Sequence, residues 1–289
     1  MPNLKEIKTR IKSVKNIQQI TKAMQMVAAA KVRRVQERVA SSKPYAEKIE
    51  EVFQNLVSKT GESEINEPLL KPRDIKTVGM VIITSDKGLC GSYNSGLIRF
   101  ANAEIKKFEE QGYKVKVWLV GNKSFGAYKY TNIEIIDKYS QLPQIPTYTE
   151  ARMIKESVIE NFLNGNVDKV VFAYTKFISM MSFKPSILEL LPVNKPEAKS
   201  ISMAEYVFEP DPATMISSIL PQYVENQIFK ALIESSASEL ASRMTAMSSA
   251  SKNAKEMIDS LSLVYNKARQ AAITKEILEV VGGAEALEK

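Results

Sequence analysis

The sequence contains no histidine and only one cysteine, Cys90. Without histidine, the chain lacks the side chain that most often serves as a general base and activates serine or cysteine nucleophiles. A single cysteine forms no disulfide within the chain, and without histidine there is no Cys/His zinc site. These absences exclude hydrolases and proteases built on such residues.

Long apolar runs are absent too. Stretches such as 78–84 and 170–174 are far shorter than the ~20 residues that a membrane-spanning helix requires. We expect a soluble chain, or one that touches a membrane through partners. Its 289 residues, 44% hydrophobic and 25% charged, have ordinary globular composition. That length is enough for about two domains.

The net charge of +7 is concentrated at the N-terminus. Residues 1–57 hold twelve Lys or Arg side chains and five acids, an excess of seven that leaves the remaining 232 residues neutral. No acid lies between Glu6 and Glu37. A positive surface of this kind favours an acidic partner or nucleic acid, and the plainer alternative is a solvated helix face.

The N-terminal segment carries the pattern of one long helix. Steps of alternately three and four residues from Leu4 to Leu56 meet apolar side chains at twelve of sixteen positions. The stripe turns polar between Gln18 and Gln25, where a neighbouring apolar stripe is available. We expect the buried face to shift there to the following residues: Ile17, Ile20, Met24 and Val27.

The ends of this helix follow from capping signals. Asn3 is a plausible N-cap and Gly61 lies beyond the C-terminus, which predicts about 55 helical residues. Pro44 removes one backbone hydrogen bond, so we expect a bend or local loosening near Ser41.

The C-terminal segment repeats the pattern more regularly. Asp211 and Pro212 form an N-cap and first-turn signal, and no Pro or Gly follows from 222 to 281, which predicts about 70 helical residues. Its three-four stripe has one polar member among eleven: Ala237, Leu240, Met244, Met247, Ser251, Ala254, Ile258, Leu261, Tyr265, Ala268 and Ala272. Helices of this length with such stripes are typical of coiled coils.

Chain order predicts how the two helices pair. One enters the middle region and the other leaves it, so a shared seam makes them an antiparallel coiled coil. The later helix is longer by about 15 residues, so 268–289 should overhang as a single-helix tip. Five apolar side chains of that tip would be exposed unless another protein encloses them: Ile273, Ile277, Leu278, Val280 and Val281.

The middle region alternates short apolar runs with polar helical segments. Strands are predicted at 77–84, 115–120, 133–136 and 167–174, and helices at 94–111, 124–130 and 150–163. Alternation of this kind predicts an α/β fold with a mainly parallel sheet. Residues 186–191 are predicted to form an antiparallel edge strand. The chain therefore divides into an N-terminal helix (1–60), a sheet domain (61–210) and a C-terminal helix with its tip (211–289).

The glycine-rich turn after the first strand does not match a phosphate-binding loop. Gly91 and Gly96 have G-x-x-x-x-G spacing, but Leu97 and Ile98 stand where that loop needs Lys and Ser or Thr. We interpret the turn as packing, with a nucleotide site as the less favoured alternative. Cys90, beside these glycines, has no histidine to activate it.

Several segments match a known family: the chain resembles the gamma subunit of the rotary F-type ATP synthase. The resemblance covers essentially the whole length and is strongest in residues 20–31, 42–46 and 263–270. The run 273–286, ITKEILEVVGGAEA, fits the family signature at its fixed positions.

The resemblance implies a non-catalytic subunit without a cofactor. The coiled coil would be the central shaft inside a ring of three alpha and three beta subunits, with one copy of the chain per complex. The residues implied as upper contacts to this ring are Arg269, Gln270, Thr274 and Glu276. The resemblance also implies that Met24 and its basic neighbours Lys22, Lys31 and Arg33 contact the acidic lever segment of the beta subunit.

The resemblance also implies that the middle region is a Rossmann-like foot domain. The foot would sit on the ring of membrane c-subunits together with the epsilon subunit, with Tyr206 and Glu209 at the c-ring contact. The protein would then be peripheral, at the cytoplasmic face of a bacterial cell membrane. It would couple ion flow through the c-ring to ATP synthesis or hydrolysis by rotation.

Two other functions compete with this interpretation. A basic coiled-coil arm could track nucleic-acid phosphates, but no aromatic residue that could stack on bases occurs before Tyr45. A nucleotide-dependent enzyme would use the middle domain, where the glycine-rich turn does not match a phosphate-binding loop. We therefore predict that neither nucleic acid nor nucleotide is bound by this chain.

Overall fold

The computed structural model describes residues 4–59, 67–194 and 212–287. Within these ranges the elements, in chain order, are α1 Leu4–Lys59, β1 Thr77–Ile83, α2 Tyr93–Glu110, β2 Lys114–Val120, α3 Asn122–Tyr128, β3 Glu134–Tyr139, α4 Tyr148–Leu163, β4 Lys169–Ser179, β5 Ser182–Leu191 and α5 Pro212–Leu287. The predicted fold class, two long terminal helices and a mainly parallel α/β sheet, is confirmed.

Both terminal helices are continuous despite internal prolines. α1 has 56 residues and contains Pro44, and α5 has 76 residues and contains Pro221. A proline inside a helix costs ~3 kcal/mol. Burial of a large apolar side chain contributes ~1.5–3 kcal/mol, and α1 has fully buried side chains on either side of Pro44, among them Val35 and Phe53. Packing therefore offsets the local cost.

The sheet has the strand order β3-β2-β1-β4-β5. The first four strands are parallel, and β5 pairs antiparallel with β4 at the edge, as the sequence predicts. The β4–β5 hairpin is longer than predicted: β4 continues to Ser179 instead of ending at Tyr174, and β5 begins at Ser182 instead of Ser186. Cross-strand pairing extends this hairpin through residues that are too polar to indicate strands by themselves.

Two apolar layers cover the sheet. On one face, Met80 and Ile82 of β1 pack with Leu97 and Ile105 of α2. On the other face, β1 and β2 pack with α4, residues 29–59 of α1 and the first part of α5. The long helices therefore contribute their inner segments to the core of the sheet domain.

The chain divides into two compact units. One comprises residues 29–243, which include the sheet and all the shorter helices. The other comprises the outer segments of the two long helices, up to residue 28 of α1 and from residue 244 of α5. The division along the chain into 1–60, 61–210 and 211–289 stays a prediction.

In the second unit, residues 4–28 of α1 pack antiparallel with residues 244–272 of α5. The α5 stripe is confirmed, because every member from Met244 to Ala272 is buried or half-buried. Beyond Ala272, all side chains described, through Ala284, are exposed. The single-helix tip therefore begins at Ile273, five residues later than predicted.

The predicted shift of the α1 stripe is wrong. Ile17, Ile20 and Val27 are 52%, 59% and 55% exposed. The original stripe continues instead through half-buried Gln18 and Gln25, and Met24 is half-buried. A heptad-spaced pair keeps one face toward its partner along the whole seam, so local polarity does not rotate the helix.

Candidate partner-binding surfaces

The glycine-rich turn after β1 uses its polar groups internally. Asn94 accepts a hydrogen bond from the backbone N–H of Ser85 (3.0 Å) and donates to the sulfur of Cys90 (3.0 Å). Tyr93 donates to the carbonyl oxygen of Ile83 at 3.3 Å. Burial raises the pKa of the Tyr93 hydroxyl, and the negative charge of Glu239 raises it further. The hydroxyl therefore stays protonated and serves as a hydrogen-bond donor to β1.

α5 contacts the loop after β1 and the part of β4 that extends past β1. These adjacent strands form the topological switch point, where doubly wound folds bind their ligands. Ser242 donates to the carbonyl oxygen of Cys90 (2.6 Å), and Ser238 to that of Thr175 on β4 (3.1 Å). The Thr175 backbone N–H donates to Ser235 (3.3 Å). A segment of the chain's own helix therefore binds the strand ends at this position.

Arg243 adds two bonds at the same end of the sheet. Its guanidinium donates to the carbonyl oxygens of Lys87 (3.4 Å) and Gly88 (3.2 Å). It is almost fully buried and also pairs with Glu239 one helical turn earlier. Because burial of an unpaired charge is costly, this pairing is what allows Arg243 to lie inside the domain.

A third loop connects both long helices to the sheet. Gln144, after β3, accepts a hydrogen bond from Lys31 of α1 (2.5 Å) and donates to Glu239 of α5 (3.3 Å). Ser236 of α5 donates to the Gln144 carbonyl oxygen (2.5 Å). These residues line a cavity of about 490 Å³ beside the ends of β1 and β2, where the side chains of Lys31, Gln144 and Glu239 bond to one another.

The implied lever contacts on α1 fall in both units. In the outer segment of α1, Lys22 is exposed and Met24, two residues later on the other side of the helix, is half-buried. In the inner segment, Arg33 is exposed and Lys31, two residues earlier, is half-buried. Lys31 is bonded to Gln144, a contact with the chain's own sheet domain that the sequence did not indicate.

The four implied contacts on α5 are all exposed on the tip or just before it. Arg269 and Glu276 share one face and Gln270 and Thr274 another, by the same periodicity. Five large apolar side chains surround them and are 46–72% exposed: Ile273, Ile277, Leu278, Val280 and Val281. Ile273, Ile277 and Val280 form a helical stripe with no partner in this unit.

The implied c-ring contacts Tyr206 and Glu209 lie outside the described residues. In the parts of the chain that the structure does describe, no group of three His, Cys, Asp or Glu residues is arranged to hold a metal ion. None of the described helices combines the length and apolarity needed to cross a membrane.

The fold defines a class of protein: a Rossmann-like sheet domain whose chain continues at both ends into a long helix, the outer segments of the two helices forming an antiparallel pair. Comparison with known proteins identifies the family. The sequence profile described as ATP synthase matches residues 3–287. The chain is 44% identical over 288 residues to the ATP synthase gamma chain of Desulfitobacterium hafniense, with both chains fully covered.

A second relative and a solved structure agree. Identity is 45% over 314 residues to the ATP synthase gamma chain of Gloeothece citriformis, covering 99% of this chain and 100% of that one. The central stalk and c-ring structure of Tetrahymena thermophila mitochondrial ATP synthase contains a chain with a TM-score of 0.59 and 26% identity, covering 80% of this chain and 99% of that one. The chain therefore belongs to the ATP synthase gamma chain family, the non-catalytic central rotor stalk of the F-type enzyme.

Proposed function

We propose that this chain turns as one shaft, gripped at the α5 tip by a ring of three alpha and three beta subunits and driven at the sheet domain by a c-ring and an epsilon subunit. One copy serves each complex. Rotation couples ion flow through the c-ring to ATP synthesis or hydrolysis in the ring. The proposal gains its main support from the apolar tip of α5.

The tip supports enclosure by partner proteins. A free helix of a soluble protein rarely exposes a continuous apolar stripe, because contiguous apolar surface favours association. Side chains 46–72% exposed from Ile273 to Val281 leave such a stripe uncovered. The implied polar contacts Arg269, Gln270, Thr274 and Glu276 are interspersed with it. A partner surface that encloses this stripe mainly through apolar contacts, with few directional hydrogen bonds, would allow the helix to turn inside it.

The basic surface of α1 supports attraction to an acidic lever of beta. Residues 4–28 contain six Lys or Arg side chains and one acidic side chain, and all six basic side chains are exposed. Residues 244–287 of α5 hold five bases and five acids. The excess charge therefore belongs to α1, where Lys22 and Met24 lie on different sides. Arg33 extends the exposed basic surface, and Lys31 acts mainly in attaching α1 to the sheet domain.

The mechanism follows from the unevenness of this surface. Each catalytic site of the ring would meet a different side of the shaft at each angle and be biased between open and closed states by those contacts. Exposed charge pairs contribute little each, typically 0–1 kcal/mol. No single basic contact then holds the rotor at one angle.

The sheet domain would carry the load from the membrane. We place the c-ring contact at Tyr206 and Glu209 and the epsilon subunit beside them. The chain would lie at the cytoplasmic face of a bacterial cell membrane and reach it only through these partners. Nucleic-acid binding gains no support from the family.

Co-expression with alpha and beta subunits of a close relative tests the proposal. Size-exclusion chromatography with mass measurement should give a complex with one copy of this chain per six partners. A chain that elutes alone, or in any other ratio, would contradict the proposal. Filter binding of DNA and RNA across a salt series tests the alternative, and we expect no saturable binding.

A further inference from the structure

The serines of α5 between 235 and 242 are buried, and all four bond outside their own helix. Ser235, Ser236, Ser238 and Ser242 are 2%, 7%, 0% and 5% exposed. A serine inside a helix usually bonds to the carbonyl of the preceding turn, as Ser218 and Ser262 of α5 do. The four buried serines instead reach the main chain of the sheet domain.

Their partners lie in the loops after β1 and β3 and in the part of β4 that extends past β1. Ser242 bonds to Cys90 after β1, Ser236 to Gln144 after β3, and Ser238 and Ser235 to Thr175 of β4. β4 continues past its last pair with β1, Ile82 with Ala173. The backbone N–H and C=O of Thr175 are therefore beyond the end of β1, and the two serines bond to them.

Such bonds resist small motions more steeply than apolar packing does. Apolar contact is non-directional, so a small slide or roll of a helix on an apolar surface loses little buried area, although a large roll would expose the buried face. Hydrogen bonds weaken steeply with distance and angle. Rotating α5 by one residue, 100°, would break the contacts of Ser238 and Ser242 together. The serine contacts therefore fix α5 in rotation and in axial position on the sheet.

We propose that Ser238 and Ser242 are positioning residues that transmit torque between the sheet domain and α5. The proposal depends on the proposed rotary function. Torque applied to the sheet domain acts to roll α5 on the strand ends, and these bonds oppose the roll. Residues 29–59 of α1 pack on the same domain and share the load, so loss of the serine bonds weakens transmission without abolishing it.

The test uses the whole membrane complex in inverted vesicles, with the double variant S238A/S242A. Each change removes a hydroxyl and adds no atom. The matched control is S218A, since Ser218 is exposed and, among the residues that the structure describes, its hydroxyl bonds to Met215 in its own helix. ATP hydrolysis and ATP-driven ion uptake are measured together, with pH-sensitive and sodium-sensitive dyes, at rising opposing gradients.

We expect the double variant to assemble and to hydrolyse ATP at a rate close to wild type. The number of ions moved per ATP hydrolysed should fall about twofold or more at the highest gradient. The two bonds belong to one contact, so their losses are coupled. The control should keep the wild-type ratio. A Ser242→Thr variant retains the hydroxyl and should recover most of the ratio in the S238A background.

Three results would overturn the inference. An unchanged ratio at every gradient would show that the bonds carry no load. Equal falls in hydrolysis and uptake would indicate general destabilisation. Failure of both single variants, S238A and S242A, to assemble would assign the serines to folding. Failure of the wild-type chain to join a complex would instead contradict the rotary function itself.

Discussion

Substitution of Gly121 by alanine should destabilise the sheet domain more than the same change at Gly112. Gly121 lies between β2 and α3 with φ of 90°, and Gly112 lies between α2 and β2 with φ of 85°. Both backbones are strained for an L residue, at a cost of about 1–3 kcal/mol. The two sites differ in space. A Cβ at Gly121 would be 2.4 Å from the carbonyl oxygen of Thr84, whereas nothing lies within 4 Å at Gly112.

The Thr84 oxygen belongs to the backbone, which cannot move aside as a flexible side chain can. The Thr84 hydroxyl also accepts a bond from the backbone N–H of Ser124 at 2.8 Å, so relief of the clash disturbs a buried contact. Overpacking of this kind adds about 1–3 kcal/mol. We expect Gly121→Ala to cost about 4 kcal/mol and Gly112→Ala about 2 kcal/mol.

Thermal unfolding of the purified chain, followed by circular dichroism, measures the difference. At about 2–4 °C per kcal/mol for a domain of this size, Gly121→Ala should melt about 4–8 °C below Gly112→Ala. Equal melting temperatures would refute the reasoning, because they would show that β1 and β2 do not approach closely at Thr84.

Three further predictions concern the helices. Ile277→Asp places a charge in the apolar stripe of the tip and should weaken binding to an alpha–beta ring at least tenfold, by about 1.4 kcal/mol or more. The free chain should melt as wild type, and equal affinity in a pull-down titration would contradict enclosure. Lys22→Gln should leave assembly yield unchanged, because exposed pairs contribute about 0–1 kcal/mol; loss of the complex on chromatography would refute diffuse attraction. Glu234→Gln should raise the melting temperature at pH 8 but not below pH ~4.3, the ordinary pKa of glutamate. Burial raises the pKa of Glu234, partly offset by Lys230 and Lys176. The cost in stability is therefore absent below the ordinary pKa and complete once the pH has risen through the folded-state pKa. A pH-independent difference would contradict this.

Periodicity was sufficient to predict the helices and the order of elements. The α5 stripe lies in the seam at every predicted position from Met244 to Ala272, because burial of one face requires three-four spacing. The start of α5 at Pro212 follows from its N-cap signal. The parallel sheet follows from alternating strands and helices, since parallel neighbours need a crossover.

The remaining errors have tertiary causes. The shift to Ile17 and Ile20 is wrong because the seam as a whole fixes the face of α1, and half-buried polar residues are tolerated at isolated positions. The β4–β5 hairpin is extended by pairing between strands, which composition does not reveal. The contacts of Ser238 and Ser242 depend on where strand ends lie in space. Four serines within eight residues of α5 were the signal available in the sequence.

Rotation of the sheet domain against an immobilised alpha–beta ring tests the central claim most directly. A probe attached through a Lys106→Cys variant, on an exposed side chain of α2, would report rotation, since the native Cys90 is buried. With ATP, the probe should turn steadily in one direction, and removal of residues 273–289 should loosen the ring's grip and lower the force it exerts. ATP hydrolysis at the full rate with a stationary or randomly moving probe would contradict the account.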